Sequence, residues 1–334
     1  MPRVSIVIPT RNAGPAFEHT LEAIADQDLA EPYEVLVIDS GSTDGTPELA
    51  ARHGARVMVI GPATFGHGRT RNAAIATCAG EYAVLTVQDA VPADERWLAA
   101  LVRAMDEHPD AAGAYSRCLP RQGAGFIERY LTTREERSGS GDDPIVQGWP
   151  SEAHLSAMSP EDLRRCCAFS DGSSILRRSV WARHALPEVT YAEDLAWSIE
   201  VMRLGYSVLY VPASRVYHSH HRSWWYELRR SYVDRRAILE LYAGAVSPGE
   251  PSDRPVSGSH RGACHLIRNM TRAARDEGAL TPAIWWAIRA WVLLGAVGVG
   301  LADFTARRGG GVWPPQLERW LARAGRYEGL MRDI

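Results

Sequence analysis

Short apolar runs alternate with helix-like segments over the first 120 residues, and this alternation restricts the fold more than any other feature of the chain. The runs are VSIVIP (4–9), EVLVID (34–39), RVMVI (56–60), YAVLTV (82–87) and AAGAYS (111–116). Candidate helices lie between them, near residues 15–28, 45–53, 68–79 and 94–107. Such repetition is typical of a mostly parallel sheet flanked by helices. The sequence therefore predicts an α/β domain.

Polar residues stand directly after three of these runs. They are Thr10, Arg11 and Asn12 after the first run, Asp39 after the second, and Gln88 and Asp89 after the fourth. Parallel strands bring their carboxyl ends to one edge of the sheet, where α/β proteins bind ligands. We therefore expect these side chains to line one crevice.

The turn after the first run excludes a dinucleotide-binding site. It reads PTRNAGPAF and lacks the GxGxxG pattern that lets the backbone approach a pyrophosphate, and a Walker A loop is absent as well. Asp89 instead suits a divalent cation such as Mg²⁺ or Mn²⁺, which takes oxygen ligands from carboxylates and from nucleotide phosphates. The alternative interpretation is that Asp89 only forms a turn before Pro92.

The rest of the chain is less regular. Its predicted elements are a loop at SGSGDDP (138–144), a helix over 151–168, a helix beginning near Asp194, strands at SVLYVP (207–212) and RVYHSH (215–220), and helices from Trp224 onward, interrupted by the loop 244–260.

Charge is distributed unevenly along the 334 residues. Residues 201–334 hold 19 arginines and 11 acidic residues, whereas residues 1–200 hold 18 arginines and 29 acidic residues. A basic C-terminal region indicates contact with phosphate or anionic lipid. A solvated, arginine-rich face remains the alternative, and we expect no nucleic-acid partner.

The segment AIWWAIRAWVLLGAVGVGLADF (283–304) is the most apolar of the chain. Its uninterrupted apolar run extends only from Ala290 to Ala302, which is shorter than the roughly 20 residues that a membrane span needs. We predict a buried or interfacial helix. Tryptophans beside arginines are compatible with peripheral membrane contact, but we favour packing on the core or on a second subunit in a homodimer.

Cysteine usage and the N-terminus indicate the compartment. Five cysteines without CxxC spacing favour a reducing environment and argue against zinc. MPRVSIVIPT enters a strand directly and lacks the apolar core of a signal peptide. We expect a cytoplasmic protein, with peripheral location at the inner face of the plasma membrane as a further option.

Six stretches together resemble a known family. They are VSIVIPTRNAG, VLVIDSGSTDGT, FGHGRTRNAAIATCAGEYAVLTVQDAVP, FSDGSSILRR, YAEDLAW and VYHSHHRS, in this order over about residues 4–225. The chain resembles family 2 inverting glycosyltransferases of the GT-A fold, a Rossmann-like α/β fold. Within that family it is similar to bacterial rhamnosyltransferases that use dTDP-L-rhamnose.

The resemblance implies a division of the chain. Residues 1–222 would form the GT-A catalytic domain, with a nucleotide-binding half at about 1–117 and an acceptor-binding half at about 118–222. Residues 223–334 would form a helical C-terminal region for acceptor, membrane-surface or dimer contacts.

The resemblance also implies residues that bind the nucleotide. Pro9, Thr10 and Arg11 would surround the nucleoside, and Asp39 would accept a hydrogen bond from the imide N–H of a pyrimidine. Asp39 as a simple turn or capping residue is the alternative. Arg71 would lie near the base and phosphates, whereas its neighbour on the same helix, Arg69, reads as a surface charge.

The metal-binding acid of the family stands in an altered motif here. Where the family has two acids in a DxD pattern, this chain has Val87-Gln88-Asp89. Asp89 alone would bind the cation, and Gln88 would contact the ribose or a metal-bound water. His218 is the implied further metal ligand with His220 behind it; hydrogen-bonded structural histidines are the alternative.

The resemblance assigns the general base to Asp194 of the Glu193-Asp194 pair. An inverting transfer needs a base that removes the proton of the acceptor hydroxyl. Glu193, Asp171 and Trp149 would contact the acceptor. Acids that merely begin a helix are the alternative for Glu193 and Asp194, and core packing is the alternative for the tryptophans.

The expected activity is transfer of L-rhamnose from dTDP-β-L-rhamnose to a saccharide or lipid-linked saccharide in cell-surface polysaccharide synthesis. Two alternatives remain open. One is a UDP-hexose-dependent transferase on the same scaffold, and the other is a catalytically silent subunit that binds a sugar nucleotide.

Overall fold

A mixed β-sheet forms the centre of the computed structural model, which describes residues 1–134, 141–220, 223–246, 259–308 and 312–322. The strands in these ranges are β1 (Val4–Thr10), β2 (Tyr33–Asp39), β3 (Arg56–Val59), β4 (Tyr82–Thr86), β5 (Val91–Pro92), β6 (Ala111–Leu119), β7 (Ile145–Gln147), β8 (Ser173–Arg177) and β9 (Ser207–Tyr217). Their order in the sheet is β3-β2-β1-β4-β8-β6-β9-β5, and β7 also pairs with β9.

Helices cover both faces of this sheet and continue beyond it. The α-helices of the described residues are α1 (Phe17–Ala25), α2 (Thr46–Arg52), α3 (His67–Ile75), α4 (Trp97–Glu107), α5 (Phe126–Arg134), α6 (Glu152–Ala157), α7 (Pro160–Cys166), α8 (Arg178–Trp181), α9 (Glu193–Arg203), α10 (Trp224–Val246), α11 (Ser259–Asp276), α12 (Pro282–Arg308) and α13 (Pro315–Leu321).

The first four strands lie as the sequence predicts. β1 pairs in parallel with β2 and with β4, and β2 pairs in parallel with β3. Alternate residues of β1 enter two separate apolar clusters, with Val7 in one and Ile6 and Ile8 in the other. Strands buried on both faces read as continuous apolar runs. The predicted α/β fold is confirmed.

β8 is the longest of three strands that the sequence did not indicate, the others being β5 and β7. β8 lies antiparallel between β4 and β6, so its first residues stand beside the last residues of β4. Thr86 at the end of β4 donates a hydrogen bond from Oγ1 to the carbonyl of Gly172, at 3.2 Å. The reversal brings the segment Asp171–Gly172 to the edge where the parallel strands end.

Two predicted elements differ in extent. The helix predicted over 151–168 is two helices, because Ser159 caps α7 in a reciprocal capping box with Asp162. The two strand segments predicted at 207–212 and 215–220 are the single strand β9, which ends at Tyr217 and leaves His218 and His220 beyond it. His221 and most of the predicted loop at 244–260 lie outside the described residues.

The C-terminal helices pack on one another and on helices that precede residue 223. α12 packs against α10 and α11. A Cβ at Gly298 would lie 2.2 Å from the carbonyl oxygen of Leu228, and Nε of Arg235 lies 2.7 Å from Oδ1 of Asp303. α5 shares an apolar cluster with α11 and α12. These contacts fix α12 along one side only.

The other side of α12 is exposed and apolar. Trp286, Leu293, Val297 and Phe304 lie at helical spacing on this side, with exposed fractions between 41% and 67%. The 13-residue run seen in the sequence is part of a continuous 27-residue helix, long and apolar enough by composition to cross a membrane, with only 22% of its most apolar window buried. This exposure agrees with the interfacial alternative rather than with burial inside this chain, and packing on a second subunit stays a prediction.

Candidate active site

Three side chains that can ligate a metal meet beyond the end of β4. Nε2 of His218 lies 3.6 Å from Oδ1 of Asp89, and Nδ1 of His220 lies 3.8 Å from Oδ2. The two imidazole rings meet edge to face with centroids 4.6 Å apart. One ligand atom from each residue lies within 4.8 Å of the others. We call Asp89, His218 and His220 the metal-ligand cluster.

The donor set of this cluster fits a divalent transition metal. One carboxylate and two imidazoles supply an oxygen and two nitrogens, whereas Mg²⁺ prefers oxygen ligands throughout. Three protein ligands leave positions open for phosphate oxygens and water. The residues present therefore match a cation such as Mn²⁺.

Arg121 also contacts Asp89. Its Nη2 donates hydrogen bonds to Oδ2 of Asp89 at 2.8 Å and to the carbonyl of the same residue at 2.7 Å. Burial raises the pKa of Asp89, but the facing His218, His220 and Arg121 outweigh it and bring that pKa below its ordinary value. Asp89 is thus held in its ionised form.

A second group of charged residues lies around Arg71 of α3. The guanidinium is buried, with Nε 3.0 Å from Oδ2 of Asp171 and Nη1 3.3 Å from Oε1 of Glu193. Asp194 follows Glu193 at the start of α9. We call Asp171, Glu193 and Asp194, together with Arg71, the acidic cluster. It holds three carboxyl groups and one guanidinium.

The excess of acids raises the pKa values in this cluster. Burial, followed by the charge of Asp171, raises the pKa of Asp194 to about 7. The same two causes hold the pKa of Glu193 well above its usual range. His67, whose Nδ1 is 3.8 Å from Glu193, has its pKa lowered to about 4 by burial and by Arg71, so it is neutral at pH 7. A carboxyl group with a pKa near 7 can accept a proton under physiological conditions.

The backbone before the two acids adopts an unfavourable conformation. Ala192 has φ 59°, in the left-handed region, and no side chain caps the helix that begins at Glu193. A non-glycine residue in this region costs about 1–2 kcal/mol. Such conformations persist where the surrounding structure holds them, often at functional sites. The turn thereby fixes the backbone position from which the side chains of Glu193 and Asp194 extend.

Close packing also joins α3 to the segment that precedes α9. A Cβ added at Gly68 would lie 2.3 Å from the carbonyl oxygen of Pro187. Nδ2 of Asn72 donates to the carbonyl of Leu186 at 2.8 Å, and the N–H of Leu186 donates back to Oδ1 of Asn72 at 3.1 Å. Arg71 therefore reaches Glu193 from a rigidly attached helix.

The two clusters share one edge of the sheet. Asp171 belongs to the acidic cluster, and a Cβ added at its neighbour Gly172 would lie 3.4 Å from Nδ1 of His218. Asp171 thus pairs with Arg71 of the acidic cluster, and the next residue along the chain lies beside His218 of the metal-ligand cluster. A substrate bound at this edge would meet both.

Asp39 accepts hydrogen bonds from the turn that follows it and from Thr10 of β1. Oδ1 accepts hydrogen bonds from the N–H groups of Gly41 and Ser42 at 3.0 and 2.8 Å, and Oδ2 accepts from the hydroxyls of Ser42 and Thr10 at 2.5 and 2.9 Å. A carboxylate has about four acceptor positions. These contacts agree with the alternative of a turn residue, and recognition of a pyrimidine by Asp39 stays a prediction.

The side-chain amide of Gln88 connects the ends of β1 and β4 by hydrogen bonds. Oε1 of Gln88 accepts from the N–H of Arg11 at 2.9 Å, and its Nε2 donates to the carbonyl of Arg11 at 3.4 Å. Pro9 lies in β1 opposite Ile38 of β2. The predicted nucleotide residues of these strands are therefore neighbours, whereas Arg71 lies among the acids predicted for the acceptor.

The tryptophans have different surroundings. Trp149 packs partly buried against the larger apolar cluster, and the guanidinium carbon of Arg203 lies 5.8 Å from its ring centroid. Trp197 is fully buried and donates from Nε1 to the carbonyl of His184, while Trp181 donates to Oδ1 of Asn72. Core packing explains Trp181 and Trp197, and acceptor contact by Trp149 stays a prediction.

Sequence reasoning missed Arg121 at this edge and gave His220 a position behind His218. His220 contacts Asp89 directly rather than lying behind His218, and its position two residues from His218 was the available signal. Arg121 follows β6 in CLPRQGAG, and no pattern in that stretch pointed to Asp89. Its place results from pairing between β6 and β9, which connects residues about 100 positions apart.

Known proteins resemble this chain in sequence and in fold. The model of glycosyl transferase family 2 matches residues 5–158. The O-antigen chain rhamnosyltransferase RfbN of Salmonella typhimurium is 31% identical over 222 residues, 65% of this chain and 67% of the relative. The chain belongs to glycosyltransferase family 2. The O-antigen chain rhamnosyltransferase WbaN of Salmonella anatum is 27% identical to this glycosyltransferase over 66% of this chain and 67% of the relative.

Solved structures share the fold of the glycosyltransferase. The mannosyltransferase PcManGT of Pyrobaculum calidifontis, in complex with GDP-Man and Mn²⁺, has a TM-score of 0.53 at 20% identity and covers 89% of this chain and 87% of its own. Glucosyl-3-phosphoglycerate synthase of Mycobacterium tuberculosis, in complex with Mn²⁺, UDP and glucosyl-3-phosphoglycerate, has a TM-score of 0.52 at 17% identity, covering 75% and 82%. The predicted GT-A fold is confirmed.

Proposed function

We propose that this glycosyltransferase transfers L-rhamnose from dTDP-β-L-rhamnose to a saccharide acceptor with inversion at the anomeric carbon. The observation that carries the proposal is the pair of aspartates at one sheet edge, Asp89 held ionised beside two imidazoles and Asp194 with a pKa near 7. The rhamnose donor is supported by two relatives named as O-antigen chain rhamnosyltransferases.

In this proposal Asp194 acts as the general base. The acceptor hydroxyl oxygen attacks the anomeric carbon, its proton passes to the carboxylate of Asp194, and the bond from that carbon to the diphosphate oxygen breaks. The electron pair of the broken bond leaves with the nucleoside diphosphate. Asp194 must be ionised before the attack, which a pKa near 7 permits at cytoplasmic pH.

Asp89, His218 and His220 would hold a divalent cation, which supplies positive charge to the departing diphosphate when bound. Asp89 contributes the only carboxylate of the metal-ligand cluster, because Val87 stands at the position of the first acid of the DxD pattern. The imidazoles favour Mn²⁺ over Mg²⁺ for this position. A Mn²⁺ complex among the solved structures of the same fold supports this choice.

The remaining site residues take two roles in the proposal. Thr10, Arg11 and Gln88 line the nucleoside and ribose at the ends of β1 and β4, and Pro9 and Asp39 shape that surface from β1 and the turn after β2. On the acceptor side, Asp171, Glu193 and Trp149 would contact the acceptor sugar. Arg71 is assigned there as a positioning residue, because it pairs with Asp171 and Glu193.

The domain division belongs to the proposal as well. Residues 1–222 would carry catalysis, with the nucleotide half at about 1–117 and the acceptor half at about 118–222. Residues 223–334 would contact a lipid-linked acceptor, an anionic membrane surface or a second subunit. The exposed side of α12 supports a helix lying in the interface, since its opposite side is packed on α10 and α11.

A donor panel tests the proposed activity. Purified enzyme with Mn²⁺ should hydrolyse or transfer from dTDP-β-L-rhamnose in preference to UDP-glucose, UDP-N-acetylglucosamine and GDP-mannose, and proton NMR of the product should show the α-L anomer. Turnover of UDP-glucose without turnover of dTDP-β-L-rhamnose would establish the UDP-hexose alternative. Nucleotide binding without turnover of any donor, with a range of saccharide acceptors present, would favour the silent binding subunit.

Vesicle flotation tests the assignment of α12. Protein should float with vesicles containing phosphatidylglycerol and less with pure phosphatidylcholine. The double substitution Leu293→Glu and Val297→Glu should abolish flotation, whereas Val146→Glu, at an equally exposed position on β7, should not. Loss of a dimer in sedimentation without an effect on flotation would identify this face as a subunit interface instead.

A further inference from the structure

Arg121 occupies one of the two carboxylate oxygens that Asp89 offers to the metal-ligand cluster. Its Nη2 lies 2.8 Å from Oδ2, the same carboxylate oxygen that faces Nδ1 of His220 at 3.8 Å. The second hydrogen bond of Nη2, to the carbonyl of Asp89 at 2.7 Å, holds the guanidinium at the strand end. A cation on Oδ2 and a guanidinium on Oδ2 would repel each other at short range.

The position of Arg121 follows from the same strand pairing that positions the histidines. Leu119 of β6 pairs with Tyr217 of β9, and the N–H of His218 donates to the carbonyl of Leu119 at 3.0 Å. Beyond the strands, the N–H of Arg121 donates to Oγ of Ser219 at 3.0 Å. The pairing of β6 with β9 therefore places Arg121 and the two histidines together beside Asp89.

The contact between Arg121 and Asp89 affects metal binding because the cluster has few negative charges. The metal-ligand cluster has a single carboxylate, so the cation and Arg121 have only Asp89 to share. The side chain of Arg121 is 38% exposed, and it can leave Asp89 without unpacking the core. A guanidinium released at this edge suits a diphosphate, because its parallel N–H groups match phosphate oxygens.

We propose that Arg121 competes with the divalent cation for Asp89 and, once displaced, binds the diphosphate of the donor. The inference rests on the proposed metal-ligand cluster and deepens it. Cation and nucleotide diphosphate would then bind together: the cation frees Arg121 for the phosphates, and the phosphates keep Arg121 from returning to Asp89. Such coupling is reciprocal, so each ligand strengthens the other by the same factor.

Titration with Mn²⁺, followed by the electron paramagnetic resonance signal of the free ion, tests the competition. In the absence of nucleotide, Arg121→Gln should bind Mn²⁺ about fivefold or more tightly than the wild type. In saturating Mn²⁺, the same variant should bind dTDP about tenfold or more weakly. Opposite signs for the two ligands are expected if one side chain serves both in turn, and Arg121→Lys shows whether loss of the positive charge alone produces them.

Two further variants make the test specific. Arg215→Gln is the matched control, because Nη2 of Arg215 also lies 2.8 Å from a carboxylate, that of Asp94, at similar exposure. It should leave both affinities unchanged. Arg121→Lys keeps the charge, so it should retain weak Mn²⁺ binding even if the glutamine variant folds poorly.

The outcomes separate this inference from the proposed metal site. If Arg121→Gln binds Mn²⁺ no more tightly than the wild type while Asp89→Asn abolishes binding, the metal-ligand cluster stands and the competition is wrong. If dTDP affinity in Mn²⁺ is unchanged by Arg121→Gln, the second role of Arg121 is wrong. If Asp89→Asn leaves Mn²⁺ affinity intact, the metal-ligand cluster itself is overturned and the competition falls with it.

Discussion

Asp89 and Asp194 lie in two regions of the same sheet edge with opposite electrostatic settings. Asp89 faces two imidazoles and a guanidinium, which bring its pKa below the ordinary value although it is largely enclosed. Asp194 is enclosed as well, but the charge next to it is that of Asp171, and its pKa rises to about 7. Neighbouring charges thus decide which aspartate stays ionised and which can take up a proton.

The strongest test of this contrast removes the carboxylate of Asp194. We expect Asp194→Asn to lower kcat about 10³-fold, because positioned general bases contribute about 10²–10⁴-fold. Steady-state kinetics with the donor identified by the panel measures this. Glu200→Gln, an exposed position on the same helix, is the control and should retain activity. Activity within threefold of the wild type in Asp194→Asn would remove Asp194 from the chemistry.

Asp194→Asn should raise the stability of the folded protein, although it lowers kcat. The pKa of Asp194 is higher in the folded than in the unfolded protein, so the folded state binds more protons and its free energy of unfolding falls as pH rises from about 4 to about 7. Asp194→Asn should therefore be more stable than the wild type by at least about 1 kcal/mol at pH 8. The gain should vanish at pH 4. Urea unfolding at both pH values measures it.

Asp89→Asn should lower the stability of the folded protein, whereas Asp194→Asn raises it. Its pKa is lowered in the folded protein, so the ionised form stabilises the folded state above the unfolded pKa, and the substitution should lower stability slightly at pH 7. Affinity for Mn²⁺ should fall about 100-fold or more, because the cluster loses its only anionic ligand. Calorimetric titration measures the binding. A stabilised Asp89→Asn protein would contradict the contrast drawn between the two aspartates.

A smaller effect should appear in the pH profile. Asp171 raises the pKa of Asp194, so Asp171→Asn should move the acidic limb of kcat/KM from near pH 7 to lower pH by about one unit. Arg71 lowers that pKa, and Arg71→Gln should move the limb to higher pH. Profiles from pH 5 to pH 9 measure both. Shifts in the same direction would show that the acidic cluster does not set the pKa.

The smallest expected effect concerns the turn at Ala192. Glycine adopts positive φ without strain, so Ala192→Gly should raise the free energy of unfolding by about 1 kcal/mol. The looser turn should lower kcat a few-fold, because Asp194 would be held less firmly. Thermal unfolding and kinetics at pH 8 measure the two changes. A drop in stability would show that the left-handed conformation is not strained.

The sequence predicted the region of Asp89 better than the region of Asp194. β1, β2 and β4 are apolar runs followed at once by polar residues, so strand and site could be read together. The acidic cluster joins residues from α3, the start of β8 and the start of α9. No local pattern reports that Arg71 pairs with Asp171 and Glu193 rather than with a nucleotide.

Short strands in mixed pairing explain what was missed in the fold. β8 has five residues and is buried between β4 and β6, so it shows no alternation and no turn signal specific to an antiparallel strand. β5 and β7 have two and three residues and are defined only by their partner β9. Tertiary pairing, which a single sequence does not reveal, created all three.

The contact at Gly68 has a practical consequence for exchanging parts between related transferases. The carbonyl of Pro187 leaves no room for a Cβ at this glycine. The side chain of Asn72 donates a hydrogen bond to the backbone of the adjacent Leu186 and accepts one from it. Residues 61–75 and residues 184–203 must therefore be exchanged together when a chimaera is made. A chimaera that takes one stretch from a donor enzyme and leaves the other behind should misfold, whereas one that moves both should fold.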